Sequence, residues 1–341
     1  MVKAPKSALL VVLLPLFVLL LAFASLSFGA GGVGWQDSLH WLLGASSDAH
    51  VDLVLGELRL PRLLKALALG AALGAAGVLL QTVTRNPLAE TGLLGVNSGA
   101  ALGVALGIAL FAGQSPAAQI GWALGGATLG SLLVLLLARA GGGQSSPLRL
   151  VLAGLALTAT CHSLTAWLAL VSTANLDRYR FWLLGSLAHP HAGLLWPSLV
   201  LIGVGLTAAM GLVRPLSALA LGDDLARALG QRPAPARVGA VVVVALLTGT
   251  SVALAGPIPF LGLIAPYCAR TLAGVTIASQ LPYSILLGSA LMLSADLSSR
   301  LLLAPFEAPV SAVLAGIGAP LLIWMVNRDA TLALMPAGTE R

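Results

Sequence analysis

Charge is scarce in this chain. Asp, Glu, Lys and Arg make up 9% of its 341 residues, against roughly 25% in an ordinary soluble domain. So few charges cannot clothe a protein of this size in a solvated surface, which excludes a soluble globular enzyme. Disorder is excluded as well, because it needs low hydrophobicity and high charge. There are only three lysines, Lys3, Lys6 and Lys65, and none stands in the GxxxxGK[ST] setting of a nucleotide-binding loop. The chain is therefore no P-loop ATPase by itself. GxSxG, HExxH and paired carboxylates within one apolar segment are also missing, which leaves no catalytic set of those kinds. Cysteine is nearly absent. Cys161 and Cys268 fall in or beside apolar segments and read as small buried hydrophobes, not as a disulfide framework. The net charge of +6 is gathered into no basic block, so it carries no nucleic-acid signature.

What is present is apolar. Hydrophobic residues are 58% of the chain, enough for about ten spanning helices of about 20 residues each. Leu9 to Phe28 and Ile120 to Leu137 are nearly unbroken runs rich in Leu and Ala. They favour helices over the alternating segments of an outer-membrane barrel. The expected fold is all-α and multi-pass, one membrane domain over residues 1–341. Spanning segments are expected at 8–28, 63–83, 93–112, 118–137, 150–171, 193–213, 238–255, 259–268, 281–297 and 310–326. Lys3 and Lys6 hold the N-terminus in the cytoplasm, and the run that follows is too long for the core of a cleaved signal peptide. Alternation then returns the C-terminus to the cytoplasm. Twelve of the 18 Lys and Arg fall on the cytoplasmic side of this layout and six outside, the bias of the positive-inside rule. Trp35, Trp41, Trp122, Trp182 and Trp196 gather near the outer interface, as belt aromatics do. Gly70/Gly74, Gly103/Gly107, Gly121/Gly125 and Gly126/Gly130 recur at four-residue spacing, which lets helix backbones approach within one bundle. The longest cytoplasmic loop, 214–237, holds Gly222, Asp223 and Asp224 ahead of Leu225 to Leu229, with Gly230 behind. Acids at the start and Gly at the end suit a short capped helix. The segments lack the buried acids of a proton relay; Asp296, close to an outer end, is the nearest case.

Four segments then combine. The first is Arg59-Leu60-Pro61-Arg62 with Gly70, Gly74 and Gln81. The second is Arg85-Asn86-Pro87-Leu88-Ala89, followed by Gly92 to Val96 and Ser98-Gly99. The third is Leu221 to Gly230. The fourth holds Gly256-Pro257-Ile258, Phe260, Gly262-Leu263, Pro266 and Arg270, then Ala295-Asp296, Arg300, Pro309 and Gly318-Ala319-Pro320. In this order they resemble the permease family of type II ABC importers for ferric siderophores, haem and cobalamin, over Leu58 to Arg328. One departure is Tyr267 after Pro266, where His is frequent in the family. The resemblance implies a permease of about ten transmembrane helices in the bacterial inner membrane, both termini cytoplasmic. It implies a second permease, identical or paralogous, and two cytoplasmic ATP-binding subunits. Those subunits use ATP and Mg; this chain binds no cofactor or metal and is not an enzyme. A periplasmic or lipid-anchored substrate-binding protein docks outside. The cargo implied is a ferric siderophore or related iron chelate. Cobalamin or haem is the alternative within the family, and an autonomous secondary transporter is the alternative of another class.

The resemblance also assigns residues. Gly222, Asp223, Asp224, Ala226, Arg227, Leu229 and Gly230 fall in the helix that couples to the ATPase; an interfacial helix on lipid is the other reading. Arg59, Arg62 and Arg300 match arginines that pair with acids of the binding protein; by themselves they read as interface anchors. Asn86 and Leu88, with Gln144 and Ser145 by position, match the cytoplasmic gate, while Asn86-Pro87 alone reads as a turn. His162, beside Cys161, sits in a segment that resembles a pathway-lining helix, and an intramembrane His is a functional candidate or a buried structural one. His189 and His191 supply only two of the usual four ligands of a closed metal site and read as a solvated loop.

Overall fold

The computed structural model describes residues 5–29, 31–45, 48–92, 95–111, 115–139, 147–171, 185–187, 192–302 and 307–334. Each of the ten apolar segments overlaps a helix. In chain order the helices are α1 (Pro5–Ser27), α2 (Trp35–Leu42), α3 (Ala49–Asp52), α4 (Leu60–Thr84), α5 (Val96–Leu110), α6 (Pro116–Arg139) and α7 (Pro147–Val171). After them come α8 (Ala192–Gly211), α9 (Val213–Ala220), α10 (Asp223–Ala228), α11 (Pro233–Ala255), α12 (Leu261–Ala273), α13 (Ile277–Leu301) and α14 (Val310–Leu334). A π-helical stretch, Leu53–Arg59, joins α3 to α4. Among the described residues six helical segments are long and apolar enough to cross a membrane, and α5, α7 and α14 carry shorter apolar stretches.

Two stretches between the apolar segments hold further helices. Residues 31–58 fold into α2, α3 and the π stretch, around a small core of Val33, Val51, Val54 and Leu55 with Trp41 against it. Local capping starts both helices: the Asp37 carboxylate accepts from Gly34 N at 2.9 Å, and Asp48 accepts from His50 N at 2.8 Å. The 214–237 loop contains α9 as well as α10, and α11 begins at Pro233, a residue suited to a first helical turn.

The core sits on α4, which packs against α13, α11, α12 and α8. It is buried nearly all round, from Leu63 to Thr84. Helix α1 is the opposite case: Val11, Val12, Leu16, Phe17, Leu19 and Leu20 are exposed. In water such a face would aggregate; in a bilayer it is an ordinary lipid-facing surface. The protein is a multi-pass membrane protein.

Helices in lipid gain little from burying apolar surface against one another, so contact relies on close approach. Gly70 and Gly288 meet where α4 crosses α13; a Cβ on Gly70 would fall 2.3 Å from the Gly288 carbonyl oxygen. One turn on, the Ser284 hydroxyl donates to Gly74 O at 2.8 Å. Gly77 meets α12 at Gly262, and Gly99 meets α6 at Gly126. Gly70, Gly74, Gly103, Gly126 and Gly130 thus serve internal crossings. Gly121 and Gly125 do not: they face open space on α6.

Candidate functional site

Helix α4 has 25 residues and is roughly 37 Å long at 1.5 Å per residue. Its two ends carry two different charged groups. At the N-terminal end lie Arg59, Arg62 and Arg300. The sequence places all three outward, but the structure draws two of them in. Arg59 is 4% exposed and donates to the carbonyls of Leu26, Val33 and Gly29. Arg300 is 8% exposed and donates to Ser25 O at 3.1 Å, Phe28 O at 3.0 Å and the Ser25 hydroxyl at 2.7 Å. The reason is α1: the last turn of a helix leaves carbonyls without partners, and guanidinium groups satisfy them. Arg62 is less enclosed, with its side chain 12% exposed. Its Nε donates to Asp296 at 2.8 Å and its Nη1 to Glu307 at 2.9 Å. Asp296, wholly buried, also faces Arg300 at 2.8 Å. Arg62 and Arg300 therefore enclose Asp296, Arg59 is held by carbonyls at and beyond the end of α1, and of the three Arg62 is the nearest to the surface.

At the C-terminal end lies α10. Gly222 precedes it, and behind it Gly230 N donates to Arg227 O while Gln231 N donates to Ala226 O. With Gly230 at φ 75° this is a Schellman ending, as the terminal Gly suggested. Asp223 caps no backbone amide. It bridges Arg85 at 2.6 Å and Arg237 at 2.7 Å, pinning α10 to the ends of α4 and α11. Arg227 pairs only with Asp224, and both are exposed. Ala226 is buried beneath the helix, whereas Leu221, Leu225 and Leu229 are exposed at four-residue spacing. Leu225 lies on α10, and Leu221 and Leu229 flank its two ends.

The turn between α4 and α5 starts from Arg85, held in the left-handed region at φ 51°. Asn86 Oδ1 accepts from Leu88 N at 3.0 Å, which is the turn-forming role of an Asn. Leu88 is partly buried behind it. The turn then carries Glu90, an acid the sequence reading passed over because a lone Glu in a loop has no distinguishing pattern. Glu90 is buried and accepts from the backbone N of Phe260, at the start of α12. Burial raises its carboxyl from 4.5 to about 7, against the opposing pull of the Phe260 N–H.

Above this turn is a cavity of about 410 Å³. It is lined by Gly92, Asn97 and Ser98 on one side and Thr158 and His162 of α7 on another. Pro257, Pro259 and Ser311 close the remainder. The Thr158 hydroxyl donates to Gly92 O at 3.2 Å, and Ser98 donates to Thr158 at 3.3 Å. Asn97 Oδ1 is buried with no partner among the described residues. Among the described lining residues only His162 is ionisable, so the cavity offers hydrogen bonds rather than charge. Cys161 beside it is buried. Gln144, Ser145, His189 and His191 lie outside the described residues.

A lipid-facing helical bundle, a polar cavity within it and a pinned helix with an apolar face at one end are the parts of a transporter's membrane component. Comparison with known proteins narrows the class. The chain belongs to the FecCD transport family, whose model matches residues 16–328. It is 42% identical over 314 residues to the ferric enterobactin transport system permease protein FepD of Escherichia coli (strain K12), covering 92% of this chain and 93% of that one. It is 38% identical to the vitamin B12 import system permease protein BtuC of Salmonella schwarzengrund (strain CVM19633), covering 93% and 94%. Among solved structures it resembles a metal-chelate type ABC transporter in an inward-facing conformation. The TM-score is 0.79 at 31% identity, covering 92% of this chain and 97% of that one. These relatives are permease components of ABC importers.

Proposed function

We propose that this chain is the membrane subunit of an ATP-driven importer for a ferric siderophore or related iron chelate. It forms the pathway and couples it to separate ATPase subunits. In this reading it has about ten spanning helices, sits in the bacterial inner membrane, and has both termini in the cytoplasm. It works with a second permease, two ATP-binding subunits and a substrate-binding protein. ATP and Mg belong to the ATPase subunits, and this chain carries no cofactor. The observation that carries the coupling role is the exposed apolar patch of Leu225 on α10 with Leu221 and Leu229 at its two flanks. An exposed apolar patch at a helix bolted down by Asp223 suits a rigid partner surface. Cargo entry falls to the 410 Å³ cavity with Asn97, Thr158 and His162 on its wall, and the cytoplasmic gate to the 85–92 turn that holds Asn86 and Leu88. Docking of the binding protein falls first to Arg62, with Arg59 and Arg300 supporting it from within.

Reconstitution tests this. The permease, its ATPase and its binding protein are placed in liposomes, and uptake of ferric enterobactin and cyanocobalamin is followed. ATP-dependent uptake of the iron chelate alone is the expected result. Uptake of cyanocobalamin alone transfers the reading to the cobalamin branch, and uptake without an ATPase defeats the importer reading. A Leu225→Asp/Leu229→Asp variant is expected to lose ATPase co-purification at least tenfold while its melting temperature in detergent is unchanged, since burying one carboxylate against an apolar partner costs well over 1.4 kcal/mol.

A further inference from the structure

We propose that Glu90 is a positioning residue of the transport cycle: it latches the 85–92 turn to the start of α12, so that movement of α10 reaches the cavity. The inference rests on the importer reading above. Its ground is an unbroken series of contacts. Asp223 of α10 holds Arg85 at 2.6 Å. Arg85 opens the turn, and Glu90 in that turn holds Phe260 N. The Phe260 ring fills the space beside Gly318 of α14, where an added Cβ would fall 2.4 Å from it. Ser311, Ala312 and Ala315 of α14 line the cavity above. A parallel tie runs from Arg270 of α12 to Gln81 Oε1, whose amide donates to Ala89 O at 3.4 Å.

Strain marks the same two points. Among the described residues Arg85 and Phe260 are the non-glycine residues in the left-handed region, at φ 51° and φ 64°. That conformation costs an L-residue energy and persists where surrounding contacts impose it, often at switches. One strained residue sits at each end of the turn's connections: the first is held by Asp223, the second by Glu90.

The chemistry of the latch follows. An ionised carboxylate at a helix N-terminus is a stronger acceptor than a neutral acid. Burying that charge costs the fold energy, and its one recorded hydrogen bond is the one to Phe260. Glu90 therefore gains or loses its proton near neutral pH, and protonation weakens the latch. The charged or titratable groups on the elements around it are Arg85 of the turn, Tyr267, Cys268 and Arg270 of α12, and Arg149, Cys161 and His162 of α7. Arg85 is tied to Asp223, and Arg270 to Gln81.

The test uses the assembled complex in liposomes, with ferric enterobactin and cyanocobalamin as probes, and reads uptake per ATP hydrolysed from pH 6 to pH 8. The ionised fraction of Glu90 changes about tenfold across that range, so wild-type coupling should fall about tenfold as pH drops from 8 to 6. Glu90→Gln should assemble and keep basal hydrolysis but show the low coupling at every pH. Glu90→Asp should recover part of the coupling and its pH dependence. Wild-type coupling in Glu90→Gln, with the wild-type profile, overturns the latch. Should the variants fail to assemble, a wild-type coupling ratio that is flat from pH 6 to 8 overturns it equally. A wild-type complex that takes up neither probe and shows no hydrolysis stimulated by the binding protein at any pH overturns the importer reading itself, and the latch with it.

Discussion

Asp296 and Glu90 are two buried acids with opposite expectations. Asp296 is enclosed between Arg62 and Arg300. Asp296→Asn leaves buried Arg300 beside Arg62 without its carboxylate partner, while Arg62 keeps Glu307; breaking such a buried pair costs about 3–5 kcal/mol. The expected result is a large fall in melting temperature and in the yield of folded protein from detergent. Glu307 contacts the same Arg62 but is 38% exposed, so Glu307→Gln should cost no more than about 1 kcal/mol. Glu90 behaves differently because its carboxyl binds its proton more tightly in the fold than in the unfolded chain. The folded state then holds more protons between pH 4.5 and about 7, so stability falls as pH rises through that window. Above it, the buried charge costs on the order of 3 kcal/mol. Glu90→Gln should therefore raise the melting temperature at pH 8 relative to wild type, and the gain should vanish near pH 5. A residue serving stability alone would show the reverse. Neither acid was legible as such. Asp296 stands out by its position, but its partner Arg62 comes from α4, 234 residues away in sequence, and joins Arg300 of its own helix.

At the scale of elements the decisive contacts are the glycine crossings. A Cβ at Gly70 would meet the Gly288 backbone at 2.3 Å, and backbone cannot rotate away as a side chain can. Gly70→Leu is expected to cost more than the roughly 1–3 kcal/mol of ordinary overpacking, seen as loss of the cooperative thermal transition. Gly121→Leu, at open space on α6, should leave the melting temperature of the isolated chain within about 1 °C, since surface changes rarely exceed 0.5 kcal/mol. All these glycines share one sequence spacing, so the spacing alone identified a packing surface without saying which pairs use it. Helix α10 divides the same way. Its ends were readable from Asp223, Asp224 and Gly230. That Asp223 would spend its carboxylate on Arg85 and Arg237 depends on where α4 and α11 end in space.

For the whole molecule, the arginine cluster lies at one end of α4 and the pinned helix α10 at the other. Among its described residues the cavity is lined by no ionisable side chain other than His162. In the importer reading proposed above, such a wall suits a bulky chelate that must leave as readily as it enters. His162→Ala should therefore change uptake less than threefold, whereas substitutions at the two ends should abolish it; uptake assays on the same complex compare them. That expectation follows from magnitudes. One hydrogen bond is worth about 0.5–1.5 kcal/mol, while severing a partner interface removes the whole coupling energy.

Leu9 to Phe28 and its nine counterparts needed no tertiary information. Long apolar runs with sparse charge have one stable home, a bilayer, and in it backbone groups must bond within a helix. The helical membrane fold and the rough place of its apolar helices followed from composition and spacing alone, and the ordered motifs carried the family. What the tertiary structure decided was partnership. It turned Arg59 and Arg300 inward onto the open carbonyls of α1 and left Arg62 near the surface. It buried Ala226 and exposed Leu225 on one short helix. It carried Glu90 to Phe260 across 170 positions of sequence. Local pattern reports the solvent and the helix period. Which side chain meets which depends on how helices far apart in the chain cross, and that is set by packing.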